Sequence, residues 1–166
     1  MASPKVLASV NLLVLRVSWR LPLTHYSSQT PTTADLERVV AACRELIETR
    51  FGGEPDYGVA AVLLGDGSIL TGTSPDFPNP STTVCHETEP YLAAFRLNQP
   101  ILASLCLHRT EDDYFVALSP CGICQERLMM HGPDPFVGVP EPEDSTQVRW
   151  IRLDKMMPYY WQRVFD

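Results

Sequence analysis

From Thr32 onward the hydrophobic positions switch between a helical and a strand period. Leu36, Val39, Val40, Cys43, Leu46 and Ile47 recur at spacings of three and four, which predicts an amphipathic helix opened by a Thr32 to Asp35 capping box and stopped by Gly52-Gly53. Y-G-V-A-A-V-L-L, the turn G-D-G and S-I-L-T-G predict two strands joined in a hairpin. After a loop spaced by Pro75, Pro78 and Pro80, the stretch from Tyr91 to Leu97 reads as a helix and I-L-A-S-L-C-L as a buried strand. Y-F-V-A-L follows as a strand or turn ending at Ser119-Pro120, and a short helix runs from Cys121 to about Met130. The pattern closes with F-V-G-V-P, a loop holding Pro140 and Pro142, the strand V-R-W-I-R-L and a helix-like segment through Trp161. Hydrophobic strands separated by helices predict a sheet covered by helices, an α/β or α+β domain in three layers.

Residues 1–31 do not share this pattern. The stretch carries Lys5, Arg16 and Arg20, has no acidic residue and contains the run V-L-A-S-V-N-L-L-V-L, so it is expected to be an N-terminal extension to a domain spanning 32–166. An acid-poor, arginine-bearing segment suits organelle targeting or a signal sequence, but no clear small-residue cleavage site follows, which favours an added strand or helix on the domain or a misassigned start codon. The 166 residues are enough for one domain with its own core. A net charge of -7 gives a surface field that repels polyanions, which argues against nucleic acid as a partner. No apolar run approaches the roughly 20 residues of a bilayer span. The five cysteines are an odd number in a chain that needs no disulfide framework, which points to a reducing compartment and a cytoplasmic location, with organelle targeting through residues 1–31 as the alternative. Cys43 and Cys106 lie in apolar surroundings and read as small buried hydrophobes.

The other cysteines sit in the stretches T-V-C-H-E-T-E-P (83–90) and S-P-C-G-I-C-Q-E (119–126). In P-C-G-I-C the proline fixes the entry to a helix, so that Cys121 and Cys124 share one side of its first turn and can reach one ion. Backbone N–H groups at a helix start favour thiolates there. Cys85 would complete a three-sulfur face whose fourth tetrahedral position is left to water, with Glu87 beside it. His86, His108 or His131 in the fourth position would instead make a closed, non-catalytic structural zinc or interaction module.

C-H-E at Cys85 to Glu87 followed by P-C-G-I-C resembles the cytidine deaminase superfamily, and a cysteine as first ligand resembles its free-nucleoside branch, which includes cytidine and blasticidin-S deaminases. His86 as the first ligand would need a Glu at position 88, which is Thr88. The resemblance covers roughly residues 32–165. It implies an α/β three-layer α-β-α fold with a mixed five-stranded sheet, a Zn2+ cofactor held by Cys85, Cys121 and Cys124, and Glu87 as the proton shuttle. The activity implied is hydrolytic deamination of a small-molecule nucleoside, cytidine or deoxycytidine, to the uracil product and ammonia, with a blasticidin-S-like or other aminated base as the alternative. V-A-A-V-L-L-G-D-G-S-I-L-T-G places Ser74 and Asp76 where the family has the Asn and Glu of its sugar-binding motif. Backbone groups near Cys85 and Ser119 would hold the base edge, and Tyr57 and His86 are further substrate-contact candidates. M-M-P-Y-Y-W resembles a segment that closes over a neighbouring subunit in tetrameric members, which implies a homo-oligomer, a tetramer or dimer. The chain departs from the family at Thr88 and Gln125, where members with three cysteine ligands usually carry arginine, and at His86, where Ala is typical. His86, Arg127 or the helix N-termini must then offset the thiolate charge.

Overall fold

The computed structural model describes residues 29–52 and 54–165, so the extension expected at residues 1–31 lies almost wholly outside the described residues. Helix α1 (Thr33–Phe51) begins as its sequence requires: the Thr32 hydroxyl accepts from the Asp35 N–H at 3.2 Å and the Asp35 carboxylate accepts from the Thr32 N–H at 3.0 Å. Gly52 ends it with a left-handed φ of 63°. Strands β1 (Tyr57–Leu64), β2 (Ile69–Gly72), β3 (Ile101–Arg109), β4 (Phe115–Leu118), β5 (Phe136–Glu141) and β6 (Asp144–Arg152) form one sheet in the order β2-β1-β3-β5-β6, with β4 also on β3. The β3–β5 pairing is parallel and the others are antiparallel, so the sheet is mixed. Helices α2 (Thr88–Arg96), α3 (Gly122–Leu128) and α4 (Leu153–Met156) complete the chain order. Among the described residues no helix is long and apolar enough to cross a membrane.

Among the described residues the sheet has six strands rather than the five expected. Phe115–Leu118 is a strand because the Thr110 N–H bonds the Tyr114 carbonyl at 2.9 Å, closing a hairpin that brings the segment back along Cys106–Arg109. The expected loop around Pro140 and Pro142 is a tight turn, since Glu141 pairs with Asp144 and β6 therefore starts before Val148. The final helix is divided: α4 stops at Met156, just ahead of Pro158, and a 3-10 segment runs over Trp161–Phe165.

Strand alternation sorts the core into two layers. Val59, Ala61 and Leu63 of β1 stand opposite Leu107, Leu105 and Ala103 of β3 and pack under Val39, Cys43 and Ile47 of α1. The alternate residues Val62 and Leu64 face the other way, against Tyr91 and Ala94 of α2 and Cys124 and Leu128 of α3. On that face the Tyr91 hydroxyl is hydrogen-bonded to the Ser104 hydroxyl at 2.7 Å, so both buried polar groups are satisfied. The three layers place the N-terminal ends of α2 and α3 together on the side of the sheet away from α1.

One buried group is not satisfied in this way. His131 is 3% exposed, and neither ring nitrogen has a hydrogen-bond partner among the described residues. Burial lowers its pKa from 6.5 to about 4, an effect only partly opposed by the nearby carbonyls of Tyr91 and Gln99. Because the folded value lies below the unfolded one, the neutral ring supports the fold fully above pH 6.5. That support is lost as pH falls from 6.5 toward 4, amounting to on the order of 3 kcal/mol. His131→Leu should therefore lose less stability than the parent protein between pH 7.5 and pH 4.5 in urea unfolding. Equal losses in the two proteins would show that His131 does not control this acid limb.

Candidate functional site

The N-terminal end of α2 is built from Cys85, His86 and its N-cap Glu87, and the N-cap of α3 is Cys121 with Cys124 in the first turn. The Thr88 N–H returns to the Cys85 carbonyl at 2.9 Å, making the tight turn that sets Cys85 beside the helix start. Across the gap the Cys85 and Cys121 sulfurs are 3.3 Å apart, and the sulfurs of Cys85, Cys121 and Cys124 all lie within 4.8 Å of one another. Tetrahedral Zn–S bonds of about 2.3 Å put sulfurs roughly 3.8 Å apart, so donor type and spacing fit such an ion. Among the described residues no histidine joins the three thiols. His108 instead lies 3.0 Å from an Asp56 carboxylate oxygen, and His131 lies in the core.

The thiols are not electrostatically equivalent. Burial opposes ionisation of Cys121, but the N–H groups of Cys124 and Ile123 and the Cys85 thiol outweigh it and hold Cys121 below the usual thiol value. Burial pushes Cys85 up, and its hydrogen bond to Cys121 adds to this. Cys124, fully buried, is also raised, first by burial and then by the Glu87 carboxylate. The helix start thus favours the thiolate at Cys121 but not at Cys124. Cys43, raised to about 12 by burial, and Cys106, also raised by burial, remain thiols in the core.

Glu87 is 4% exposed, and its charge acts on Cys85 and Cys124, so a nearly dry carboxylate lies within electrostatic range of the sulfur cluster. Position 88 holds a threonine whose hydroxyl accepts from the Arg127 guanidinium at 2.7 Å. Gln125 turns away and donates to the Pro120 carbonyl at 2.8 Å. The cation that reaches position 88 is Arg127, on the far end of α3. His86 does not supply it, since its Nδ1 accepts the Ser74 N–H at 3.1 Å and burial lowers its pKa.

Of the candidate substrate contacts, Ser74 is half-buried next to His86, while Asp76 and Ser119 are exposed. Tyr57 is not brought to the site. Its ring stacks on Phe51 of α1 with centroids 4.1 Å apart, and strand alternation turns it to the opposite face of β1 from Gly58, which lies under His86. Sequence reasoning missed Gly58. A Cβ there would meet the His86 Nε2 at 2.5 Å, and a glycine inside an apolar strand was the available signal of a close approach. It also missed Glu126, which accepts from the Tyr160 hydroxyl at 2.9 Å and from the Trp161 indole at 3.4 Å and so ties the tail to α3. Tyr159 remains 96% exposed.

No protein-family model matches the chain, and no curated protein matches it. Solved structures do. The cytidine deaminase from Bacillus anthracis superposes with a TM-score of 0.70 at 32% identity, covering 78% of this chain and 91% of that one. The cytidine deaminase from Burkholderia pseudomallei is similar in fold, with a TM-score of 0.57 at 18% identity over 74% of this chain and 96% of its own. That from Mycobacterium tuberculosis gives 0.52 at 22% identity over 74% and 96%. With a third of the residues shared over nearly the whole of the Bacillus anthracis enzyme, and with three thiols converging where two helices begin, the chain belongs to the cytidine deaminase superfamily.

Proposed function

We propose that this protein is a zinc-dependent hydrolytic deaminase of a free aminopyrimidine nucleoside, cytidine or deoxycytidine. The observation that carries the reading is the convergence of Cys85, Cys121 and Cys124 beside the buried carboxylate of Glu87. When bound, zinc supplies Lewis acidity that makes water a nucleophile near neutral pH. Glu87 accepts one proton of the attacking water and delivers it to the ring nitrogen, then carries the proton of the new hydroxyl to the amine, so the C=O forms as the C–N bond breaks and ammonia leaves. Its burial keeps bulk water from exchanging that proton. Arg127, through Thr88, offsets part of the negative charge that three thiolates and a carboxylate bring together. Ser74 and Asp76 meet the sugar, and backbone groups near Cys85 and Ser119 hold the base edge.

Metal-loaded protein incubated with cytidine, deoxycytidine, blasticidin S and the free bases, with ammonia release followed, tests this. Release from cytidine or deoxycytidine is the expected result. Blasticidin S belongs in the panel because Ser74 and Asp76 are shorter than the Asn and Glu that the resemblance places there. Turnover of blasticidin S alone would move the substrate, and no release from any compound would favour a structural zinc module.

A further inference from the structure

The loop that follows β2 is held to the sulfur cluster by a side chain that the family pattern does not contain. β2 ends at Gly72, and the residues after it have no strand partner, yet consecutive groups are tied down. The Thr73 hydroxyl donates to the Gly58 carbonyl at 2.8 Å, and the Ser74 N–H donates to the His86 Nδ1 at 3.1 Å. An accepting Nδ1 leaves the ring hydrogen on Nε2, the nitrogen that lies over Gly58. A Cβ at Gly58 would stand 2.5 Å from that Nε2 and 2.9 Å from the adjacent ring carbon, so the imidazole rests on backbone that only glycine leaves bare. Gly72 makes a second close approach, since a Cβ there would meet the Pro90 Cδ at 2.5 Å and the His86 carbonyl oxygen at 3.0 Å. The exit of β2 is thus braced by β1, by the first turn of α2 and by the imidazole between Cys85 and Glu87.

We infer that His86 is a positioning residue that, seated on Gly58, fixes the Ser74 amide and with it the sugar-facing loop from Thr73 to Asp76 relative to Glu87. The inference rests on the nucleoside reading above for its effect on substrate, though not for the brace itself. A ring in this place substitutes a specific hydrogen bond for the small side chain expected after Cys85. It makes selection for the sugar depend on a contact 12 residues away in sequence. Asparagine at 86 can present Oδ1 where Nδ1 lies, whereas phenylalanine keeps a ring and offers no acceptor.

The test compares full-length, zinc-loaded His86→Phe, His86→Asn, Gly58→Ala and the Gly58→Ala/His86→Asn double variant. Ser74 amide exchange, zinc content, and KM and kcat for nucleoside and free base are measured for each. His86→Phe and Gly58→Ala should speed Ser74 exchange and raise KM for the nucleoside about three- to tenfold, with a smaller change in kcat and little change for the free base. His86→Asn should recover slow exchange, and in its background Gly58→Ala should have little further effect because the ring it displaced is gone. Unchanged Ser74 exchange in His86→Phe, or a Gly58→Ala effect that simply adds to His86→Asn, would overturn the inference. Amide exchange and zinc content need no substrate, so a protein that brings no nucleoside to turnover would sink the substrate reading while these measurements still decide the brace.

Discussion

Replacing Glu87 by glutamine should lower kcat by about 10²- to 10⁴-fold while zinc content stays at the level of the parent protein. Glutamine keeps the volume of a side chain that is 4% exposed and packed at the start of α2, so the helix and its turn back to Cys85 survive the change. What is lost is a group able to take up and return a proton in a site with little solvent to replace it. The carboxylate also works against thiol ionisation, since it pushes both Cys124 and Cys85 up. Removing that charge should therefore hold or strengthen metal binding. Metal analysis by mass spectrometry alongside steady-state ammonia release separates the two effects. A Glu87→Gln protein that deaminates at the parental rate would remove Glu87 from the proton path, and one that loses its zinc would make it a structural residue.

Much of the fold is visible in the order of residues because the signals are local. The Thr32 to Asp35 cap, the period of α1 and the Gly52 stop each depend on neighbours within one or two helical turns. The strand V-A-A-V-L-L shows its existence but not its orientation. With both faces of β1 buried, no polar alternation marks which parity meets α1 and which meets α2. Tyr57 was misplaced for that reason: the stack on Phe51 decides the parity, and that contact is tertiary. The turn between β5 and β6 was obscured in a related way, because Pro140 and Pro142 suggest a loop while the pairing of Glu141 with Asp144 holds the strands together.

The sulfur cluster was legible because metal chemistry fixes both the ligand types and the short spacing between Cys121 and Cys124. The groups around it were legible only as candidates. The guanidinium bonded to the Thr88 hydroxyl comes from a residue 39 positions along the chain, and nothing in the local sequence selects Arg127 over the other candidates. Likewise nothing local to His86 says that Gly58 lies beneath its ring. In both places a residue at which the chain departs from the family pattern meets a second residue distant in sequence. Such pairs become readable only once the sheet register and the helix crossing are known.

Serine substitutions at Cys121 and Cys124 should both abolish tight zinc binding and activity, yet differ in what they do to the fold. Cys121 is exposed and serves as the N-cap of α3, a place where serine is well suited, so Cys121→Ser should melt where the chelator-treated parent protein melts. Cys124 is fully buried in the apolar cluster with Val62, Tyr91, Leu128 and Leu153, and a serine hydroxyl there costs about 1–3 kcal/mol unless it finds a partner. Cys124→Ser should accordingly melt about 3–10 °C below the metal-free parent. Thermal melts with and without EDTA make the comparison: the parent should shift down on chelation, because an ion bound only by the folded state stabilises it, and neither variant should respond. If Cys121→Ser keeps the parent's EDTA-sensitive melting temperature, the exposed thiol is not a ligand and the three-sulfur centre is wrong. If instead the variants lose the shift but melt together, the metal assignment stands and the packing role given to Cys124 falls.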